Sequence, residues 1–286
     1  MEDLNGRVAV VTGAASGIGR ALAERFASEG MKLVLADIDS ESLDEAAGTI
    51  SQSAGNVVAI PTDVRKPEAM ASLLAKSLDE FGAVHVLCNN AGIGGAIAWT
   101  WDQPLEKWEQ VLGVNLHGVI HGIRTFVPHM LRHNTEGHIV NVASIGGMMS
   151  LPFFAPYHAT KHAVVTLSES LQFELTMMKA NIHVSVLCPG FMRTQIAGTL
   201  QDRHCGLPSK FSAWETEPRA WCRAWDELLS AAPPPSEITP QVVDAIRNER
   251  FYILPTPDTE ALVQARLQTI LDGRTPELAL PPEVSA

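Results

Sequence analysis

Residues 7–27 read Arg-Val-Ala-Val-Val-Thr, then Gly-Ala-Ala-Ser-Gly-Ile-Gly, then Arg-Ala-Leu-Ala-Glu-Arg-Phe-Ala. The first six residues predict a short buried strand, and the last eight have helical periodicity. A glycine loop between strand and helix lets bare backbone approach phosphates, and the helix N-terminus supplies N–H groups and a positive dipole. The order predicts a cradle for a dinucleotide pyrophosphate, although a glycine loop alone is also typical of a tight turn.

The next predicted strand covers residues 32–36, and an aspartate follows it directly at position 37. An acid about 20 residues after the glycines can bind the adenosine ribose hydroxyls, and it would repel a 2′-phosphate. No Lys or Arg lies in residues 37–40, and Ser16 occupies a loop position where a basic residue would meet that phosphate. These observations favour NAD over NADP. The alternative is that Asp37 only caps the following helix.

Tyr157 and Lys161 lie four residues apart, thirteen residues after Ser144. Four residues make one helical turn, so the two side chains share a helix face. A tyrosine is a poor base because its unperturbed pKa is about 10, and an adjacent ammonium lowers that pKa. A phenol tuned in this way moves a proton to or from an alcohol or carbonyl oxygen. Together with a nicotinamide site, the pair predicts hydride chemistry.

Together these residues resemble the short-chain dehydrogenase/reductase family, in its type with a Thr-Gly-x-x-x-Gly-x-Gly loop and a Tyr-x-x-x-Lys pair. The family order continues through Asp63-Val64, Asn89-Asn90-Ala91-Gly92, Asn115 in Gly-Val-Asn-Leu, Ser144 in Asn-Val-Ala-Ser, and Pro189-Gly190 with Thr194. The resemblance covers residues 5–195 strongly and resumes near 237–255. It implies an oxidoreductase and, by analogy, a homodimer or homotetramer formed through the helices of Asn115 and Tyr157.

The resemblance implies a catalytic tetrad of Asn115, Ser144, Tyr157 and Lys161. Tyr157 would be the acid/base, Lys161 would lower its pKa and bind the nicotinamide ribose, and Ser144 would hold the substrate oxygen. Asn115 would hold a water that joins Lys161 to solvent. Each has a structural alternative: a locally satisfied Asn115, a turn residue at Ser144, a half-buried core Tyr157, and a solvated Lys161. Cofactor contacts are implied for Gly13, Ser16, Gly17, Ile18, Gly19, Asp37, Ile38, Asp63, Val64, Asn90, Ala91, Gly92, Tyr157, Lys161, Pro189, Gly190 and Thr194.

Strands alternate with helical stretches along the chain, which predicts one α/β domain over residues 1–286: a Rossmann-like, doubly wound parallel sheet with helices on both faces. Seven strands are predicted, at 7–12, 32–36, 57–60, 84–88, 137–142, 183–187 and 251–254. A long helix from Pro104 would carry Asn115. The motifs fall at strand carboxyl ends, where such folds bind ligands. Residues 195–238 are predicted to form a variable substrate lid, and 256–286 a tail with a helix near 259–271.

Composition narrows the function classes. The net charge is −11 without a basic block, which disfavours nucleic acid and anionic membrane as partners. No run of 18 apolar residues occurs, the acidic N-terminus does not resemble a signal peptide, and the four cysteines form no C-x-x-C pair, so a cytoplasmic protein is expected. Three histidine pairs have i, i+4 spacing, but none has H-E-x-x-H form, so no metal is predicted.

Aromatic residues in the predicted lid favour a hydrophobic or aromatic secondary alcohol and its ketone as substrates. These residues are Phe211, Trp214, Trp221 and Trp225, with Leu207 and Pro208. Trp99, Met148, Met149, Phe153 and Phe154 are predicted to lie near the same cleft. The tryptophans would alternatively pack the lid onto the body. Two other functions stay open: an NADPH-preferring carbonyl reductase, and a non-catalytic dinucleotide-binding sensor or scaffold.

Overall fold

A computed structural model describes residues 1–52, 55–134, 136–196, 216–257 and 259–277. Its centre is one seven-stranded sheet in the order β3-β2-β1-β4-β5-β6-β7, with every neighbouring pair parallel. The strands are β1 Val8–Thr12, β2 Lys32–Asp37, β3 Val57–Pro61, β4 Val86–Asn89, β5 Gly137–Val142, β6 Ile182–Leu187 and β7 Tyr252–Ile253. The predicted α/β fold class is confirmed.

Helices cover both faces of the sheet. They are α1 Gly17–Ser28, α2 Ser40–Ser51, α3 Pro67–Phe81, α4 Leu105–Val111, α5 Gly118–His133, α6 Ala155–Met177, α7 Thr216–Ala231, α8 Thr239–Arg247 and α9 Thr259–Leu271. Helices α1, α2 and α8 pack on one face, with Phe26 and Ile246 in that core. Helices α3, α5 and α6 pack on the other, with Met70 and Phe126 buried. Every residue of β1 and β5 is buried, as expected for strands covered on both faces.

The helix predicted from Pro104 is interrupted at the residue expected to be functional. After α4 the chain makes a π-helical segment, Leu112–His117, before α5 begins. Asn115 lies inside this segment and is buried. Wide π-turns are rare, and they occur frequently at functional sites. The segment therefore sets the position of Asn115 relative to α6, against which it packs.

The predicted lid is described only in part. Residues 195–196 and 216–238 are included, and α7 is its main element. Phe211 and Trp214, with Leu207 and Pro208, lie outside the described residues. The assignment of residues 1–286 to one domain stays a prediction. Within the described ranges no helix is long and apolar enough to cross a membrane.

The cysteines differ in state. Cys88 and Cys188, in and just after buried strands, are free and fully buried, so each acts as a small hydrophobe. Cys222, in α7, is disulfide-bonded.

Candidate active site

A cavity of about 1130 Å³ lies along the carboxyl ends of the parallel strands. Nearly all residues predicted from the motifs line it: Gly13, Ser16, Gly17, Ile18, Asp37, Ile38, Asp63, Val64, Asn90, Ala91, Gly92, Ser144, Tyr157, Lys161, Pro189, Gly190 and Thr194. Gly19 and Asn115 are not among the lining residues. The parallel sheet explains this gathering, because loops that follow parallel strands emerge at the same edge.

The glycine loop is held against the loop after β4 by backbone contact that leaves no room for side chains. Gly13 has φ +66°, and a Cβ there would stand 2.8 Å from the Cα of Ala91. A Cβ at Gly19 would lie 2.1 Å from the Gly13 carbonyl oxygen. The Asn90 amide donates to the carbonyl oxygens of Thr12 at 2.8 Å and Gly13 at 3.0 Å. Gly19 and Asn90 therefore shape the cradle from behind.

The N-terminus of α1 faces the same cavity. Ser16 is the N-cap residue, and its side chain makes no capping hydrogen bond. The first N–H groups of a helix have no partner within the helix, so they are available to an anion. With Gly13 and Gly17 lining the cavity beside them, these groups form a site suited to a pyrophosphate.

Asp37 does not cap the next helix. Its Oδ2 accepts a hydrogen bond from the Ala15 N–H at 3.1 Å, and its Oδ1 accepts one from the Asp39 N–H at 3.1 Å. Asp39 is the N-cap of α2 and accepts hydrogen bonds from the backbone and hydroxyl of Ser42. Asp37 lines the cavity, and each carboxylate oxygen keeps a lone pair for a ribose hydroxyl.

Asp63 and Val64, implied above as cofactor contacts, already have partners within the protein. Arg65 donates to both carboxylate oxygens of Asp63, at 2.8 Å each, and this interaction holds the pKa of Asp63 below its usual value. The carbonyl oxygen of Val64 is 2.9 Å from Nδ1 of His121. A carbonyl only accepts, so that nitrogen carries a proton. An adenine amino group would share the Asp63 carboxylate with Arg65.

Tyr157 and Ser144 meet at the other end of the cavity. Tyr157 lies in the first turn of α6, and Ser144 follows β5 and caps a 3₁₀ turn, Ile145–Gly147. The Ser144 hydroxyl accepts from the Gly146 N–H at 3.0 Å, so its own proton is free to donate. Burial raises the pKa of Tyr157 above its usual value, and the hydrogen bond from Ser144 lowers it by less.

Lys161 is buried, so the alternative of a solvated helix lysine is excluded. Its ammonium donates to the carbonyl oxygen of Val142 at 2.8 Å and lies 5.7 Å from the Tyr157 ring centroid. Burial lowers the pKa of Lys161 from 10.5 to about 8. The sequence predicted that Lys161 would lower the pKa of Tyr157. The influence of Lys161 on Tyr157 stays a prediction; the largest influence on the pKa of the phenol is its burial, which raises that pKa.

Asn115 holds the loop after β4. Its Oδ1 accepts from the Ile93 N–H at 2.8 Å, and its amide donates to the Ile93 carbonyl at 2.9 Å and to the Thr160 hydroxyl at 3.3 Å. Thr160 in turn donates to the carbonyl oxygen of Tyr157 at 2.7 Å. The side chain is therefore satisfied locally, and its role in holding a water stays a prediction.

Sequence reasoning missed a wall of the cavity formed after β7. Thr256, Thr259 and Leu262 line it. The Thr256 hydroxyl accepts from the Gly190 N–H at 2.9 Å, and a Cβ at Gly190 would lie 2.6 Å from that hydroxyl. The signal was present in the sequence: Thr256 follows the predicted strand 251–254, at the same sheet edge as the other motifs.

Aromatic side chains form part of the cavity wall. Trp225 of α7 lines the cavity and packs against Phe154 at 4.6 Å and Phe191 at 5.1 Å between ring centroids. Met149 and Phe154 line the cavity as predicted. Trp99, Met148, Phe153 and Trp221 do not line it among the described residues.

The aromatic residues outside the cavity form a second layer. The Trp99 ring stacks on Trp101 at 5.1 Å and meets the edge of Phe153 at 4.8 Å, and Phe153 contacts Trp221 at 5.5 Å. Trp99, which was expected near the cleft, is therefore not among the described residues that line the cavity, and its place near the substrate stays a prediction. For Trp221, the packing alternative applies.

The histidine pairs contact neighbouring backbone or each other. His162 Nδ1 lies 2.9 Å from the His158 carbonyl oxygen, and the rings of His129 and His133 are 4.3 Å apart. His158 lines the cavity beside Tyr157, although consecutive helix positions are about 100° apart around the helix axis. In the described part of the chain, no group of three or more His, Cys, Asp or Glu side chains is arranged to hold a metal ion.

Comparison with known proteins identifies the family. The short chain dehydrogenase family model matches residues 7–204. The chain belongs to the short-chain dehydrogenase/reductase family. It is 38% identical to a short-chain dehydrogenase/reductase from Burkholderia phymatum whose crystal structure is in complex with NAD; the match has a TM-score of 0.90 and covers 98% of this chain and 100% of that one.

Two curated relatives match over most of their length. A CLA biosynthesis dehydrogenase/reductase of Lactiplantibacillus plantarum is 31% identical, over 97% of this chain and 98% of the relative. A 1-deoxy-11-beta-hydroxypentalenate dehydrogenase of Streptomyces exfoliatus is 32% identical, over 98% and 92%. As a short-chain dehydrogenase/reductase, the protein is an oxidoreductase, and the predicted family is confirmed.

The residues of the cavity fit an extended dinucleotide. The cradle of Gly13 and Gly17 excludes side chains, the α1 N-terminus is free for phosphates, and Asp37 stands at the far end of the same groove. A titratable phenol and a hydroxyl donor lie at the opposite end. An arrangement of this kind can hold a dinucleotide and move a proton at an oxygen beside it.

Proposed function

We propose that the protein is an NAD-dependent oxidoreductase that interconverts a hydrophobic or aromatic secondary alcohol and its ketone, with Tyr157 as the acid/base. The observation that carries this proposal is that Ser144, Tyr157 and Lys161 line the same cavity as the glycine cradle and Asp37. The residues proposed to transfer the proton and those proposed to bind the dinucleotide therefore line one cavity.

The charges along the cavity support NAD. Asp37 presents a carboxylate where the adenosine ribose of a dinucleotide would lie, and a 2′-phosphate would be repelled there. Arg65 also lines the cavity, but its guanidinium is paired with both oxygens of Asp63. A paired guanidinium is a weak attractor for a phosphate, because its charge is already balanced at short range. The relative from Burkholderia phymatum was solved with NAD.

The substrate end supports an apolar compound. Met149, Leu151, Phe154, Trp225 and Leu229 line it, and such side chains bind apolar surface with little hydrogen bonding. The aromatic side chains in this wall also favour a substrate with a flat ring, because contacts between aromatic rings stabilise a complex by more than the burial of their apolar area alone.

In the proposed mechanism, a bound nicotinamide cofactor supplies the hydride acceptor for oxidation and the hydride donor for reduction. Tyr157 as phenolate accepts the hydroxyl proton of the alcohol while the carbinol C–H leaves as hydride, and a carbonyl bond forms. In reduction, Tyr157 as phenol donates its proton to the carbonyl oxygen. Ser144 donates a hydrogen bond to the same oxygen and stabilises charge developing there.

In the proposed mechanism, the positive charge of Lys161 stabilises the phenolate of Tyr157. The Val142 carbonyl fixes the ammonium beneath the Tyr157 ring, and a fixed cation favours the ionised phenol. Because Lys161 is almost fully buried, its field is little screened by water. The Asn115–Thr160 hydrogen bonds steady the first turn of α6, which carries Tyr157.

We further propose that the protein assembles as a homodimer or homotetramer. Large apolar side chains are exposed along α6, with Phe173 at 68% and Met177 at 84% exposure. These lie one helical turn apart, so they form a contiguous apolar surface. Sedimentation velocity of the wild type and of Phe173→Ser with Met177→Ser would measure the change in assembly; a wild-type monomer would contradict the proposal.

The experiment that tests the function follows absorbance at the reduced-nicotinamide band. The protein is mixed with NAD or NADP and with aliphatic and aryl secondary alcohols, and Tyr157→Phe is the control. We expect reduction of NAD that is lost in the variant. Signal with NADP alone would overturn the cofactor preference and leave the chemistry standing. Tight NADH binding without turnover of any alcohol would favour the non-catalytic dinucleotide binder.

A further inference from the structure

We propose that His158 is a substrate-recognition residue, and that its Nε2 accepts a hydrogen bond from a second hydroxyl group on an otherwise apolar substrate. This inference rests on the proposed function, and it narrows the substrate class to hydroxyl-bearing secondary alcohols and the corresponding hydroxyketones. The second hydroxyl is not the one that reacts at Tyr157.

His158 is placed by a backbone contact. Its Nδ1 lies 3.2 Å from the carbonyl oxygen of Met149. The carbonyl oxygen cannot donate, so the shared proton belongs to Nδ1. The ring is only 7% exposed and packs between the rings of Phe154 and Tyr157, at 6.1 Å and 5.8 Å between centroids. The orientation of the imidazole is therefore fixed before any substrate binds.

Within the part of the chain that the structure describes, the other ring nitrogen has no hydrogen-bond partner. Among the hydrogen bonds of the described residues, His158 uses Nδ1 alone, while the side chain lines the cavity. Burial lowers the pKa of His158 to about 4, and the neighbouring His162 adds to the shift. The ring is therefore neutral near pH 7. With the proton on Nδ1, Nε2 carries a lone pair and accepts a hydrogen bond.

The surroundings make this acceptor selective. Phe154 and Tyr157 lie against the ring, and Met149, Leu151 and Trp225 add apolar surface to the same cavity wall. A ligand without a donor would displace water from Nε2 and leave the lone pair without a partner, which is unfavourable. A ligand with a hydroxyl at that point would restore the hydrogen bond. Sites built in this way discriminate against analogues that lack the polar group far more strongly than apolar pockets discriminate by size.

The spacing between the rings of His158 and Tyr157 suits a small substrate that contacts both side chains. The Tyr157 and His158 ring centroids are 5.8 Å apart, so one compact substrate can meet both side chains. Tyr157 and Ser144 would hold the reacting oxygen, and His158 would fix the second hydroxyl. Two polar points on an apolar body define the orientation in which the carbinol faces the cofactor.

The test measures binding, so that it does not depend on turnover. The probes are the three ring isomers of hydroxyacetophenone and α-hydroxyacetophenone, each paired with its methyl counterpart. Affinity is measured by isothermal titration calorimetry with the enzyme–NAD complex, in which the oxidised cofactor cannot reduce a ketone. We expect at least one hydroxyl compound to bind about tenfold or more tightly than its counterpart, the equivalent of one net hydrogen bond of about 1.4 kcal/mol.

Two variants of His158 separate its nitrogens. The amide of His158→Asn can still donate to the Met149 carbonyl but places nothing at Nε2, so the preference should vanish. His158→Gln places an amide oxygen near Nε2, and it should keep part of the preference. His162→Gln, one turn along the helix and outside the cavity lining, should keep all of it. NADH affinity reports that each variant is folded.

Equal affinities within every pair, absent binding of all probes, or a preference that survives His158→Asn would overturn the assignment. Failure of the recognition role can be distinguished from failure of the proposed catalytic function. If no alcohol reduces NAD but the hydroxyl preference is present and depends on His158, the recognition role stands and the catalytic proposal falls. If alcohols are oxidised without any dependence on the second hydroxyl, the reverse holds.

Discussion

The ammonium of Lys161 lies 5.7 Å from the centre of the Tyr157 ring, and it is tied to the Val142 carbonyl at 2.8 Å. Burial disfavours the charged form of both side chains: it lowers the pKa of Lys161 to about 8 and raises the pKa of Tyr157. The protein alone therefore disfavours the charged forms of both groups. A phenolate at Tyr157 would favour the Lys161 ammonium, and the ammonium would favour the phenolate, so the two titrate together.

The depressed pKa of Lys161 predicts a change of stability with pH. Below about pH 8 the lysine is protonated in the folded and unfolded states alike. Between about 8 and 10.5 the unfolded chain holds a proton that the folded protein lacks, so the free energy of unfolding rises with pH. Relative to Lys161→Met, the wild type should gain about 2–3 kcal/mol between pH 7 and pH 10, measured by urea unfolding.

The comparison with Lys161→Met isolates this effect. Buried thiols such as Cys88, whose pKa burial raises, act in the opposite direction above pH 9, but they are present in both proteins. Parallel stability profiles for the two proteins across pH 7–10 would mean that the lysine keeps an ordinary pKa in the folded state.

The two carboxylates after β2 should have separable roles. Asp37→Ala removes the charge that faces the ribose site, and charge-assisted hydrogen bonds of this kind are worth about 1.5–3 kcal/mol. We expect kcat/KM with NAD to fall by about 10- to 100-fold, with a smaller loss for NADP. Steady-state kinetics with both cofactors measures the ratio.

Asp39→Ala is the matched control two residues away. Asp39 caps α2 through Ser42, so its loss should lower the free energy of unfolding by about 1 kcal/mol and leave the NAD-to-NADP ratio in place. If Asp39→Ala shifts the ratio as much as Asp37→Ala does, the preference arises from general negative charge in this loop.

Much of the site was predictable because its signals are local. The glycine cradle, Asp37 and the residues Ser144, Tyr157 and Lys161 each follow a strand or occupy one helical turn. The parallel sheet then brings them together without further information. For the same reason, the bounds of β5 and of α9 match the predicted ranges.

What could not be predicted depends on contacts between distant segments. The π-helical segment around Asn115 adds a residue to the helical turn, and no periodicity marks it. The approach of Thr256 to Gly190 depends on how β7 pairs with β6. The burial that raises the pKa of Tyr157 is of the same kind, because a sequence shows the nearby lysine but not the side chains that enclose the phenol.

The glycine at position 19 should be irreplaceable for a steric reason. A Cβ there would stand 2.1 Å from the Gly13 oxygen and 2.4 Å from the Asn90 amide nitrogen, so the cradle must move. We expect Gly19→Ala to lower the free energy of unfolding by about 1–3 kcal/mol and to weaken NADH binding. Thermal unfolding and fluorescence titration with NADH measure the two effects.

Gly48 in α2 is the control for Gly19. No atom lies within 4 Å of a Cβ built there, so Gly48→Ala should stabilise the protein by about 0.5–1 kcal/mol through helix propensity. NADH affinity should stay as in the wild type. A Gly19→Ala protein with wild-type stability and affinity would show that the loop yields more easily than its packing implies.

The substrate wall should depend on Trp225 rather than on the tryptophans near residue 100. Trp225 lines the cavity between Phe154 and Phe191, whereas Trp101 is 54% exposed and stacks on Trp99 outside the cavity lining. Trp225→Ala should raise the Michaelis constant for a bulky aryl ketone on the order of tenfold, because an aromatic contact and its buried area are lost. Trp101→Ala should leave that constant near the wild-type value, and neither change should alter the affinity for NADH.

The measurement is initial-rate kinetics of ketone reduction with an aryl and a small aliphatic ketone, and the effect of Trp225→Ala should be confined to the aryl compound. An equal rise for both ketones would mean that Trp225 acts by holding α7 in place and not by touching the substrate.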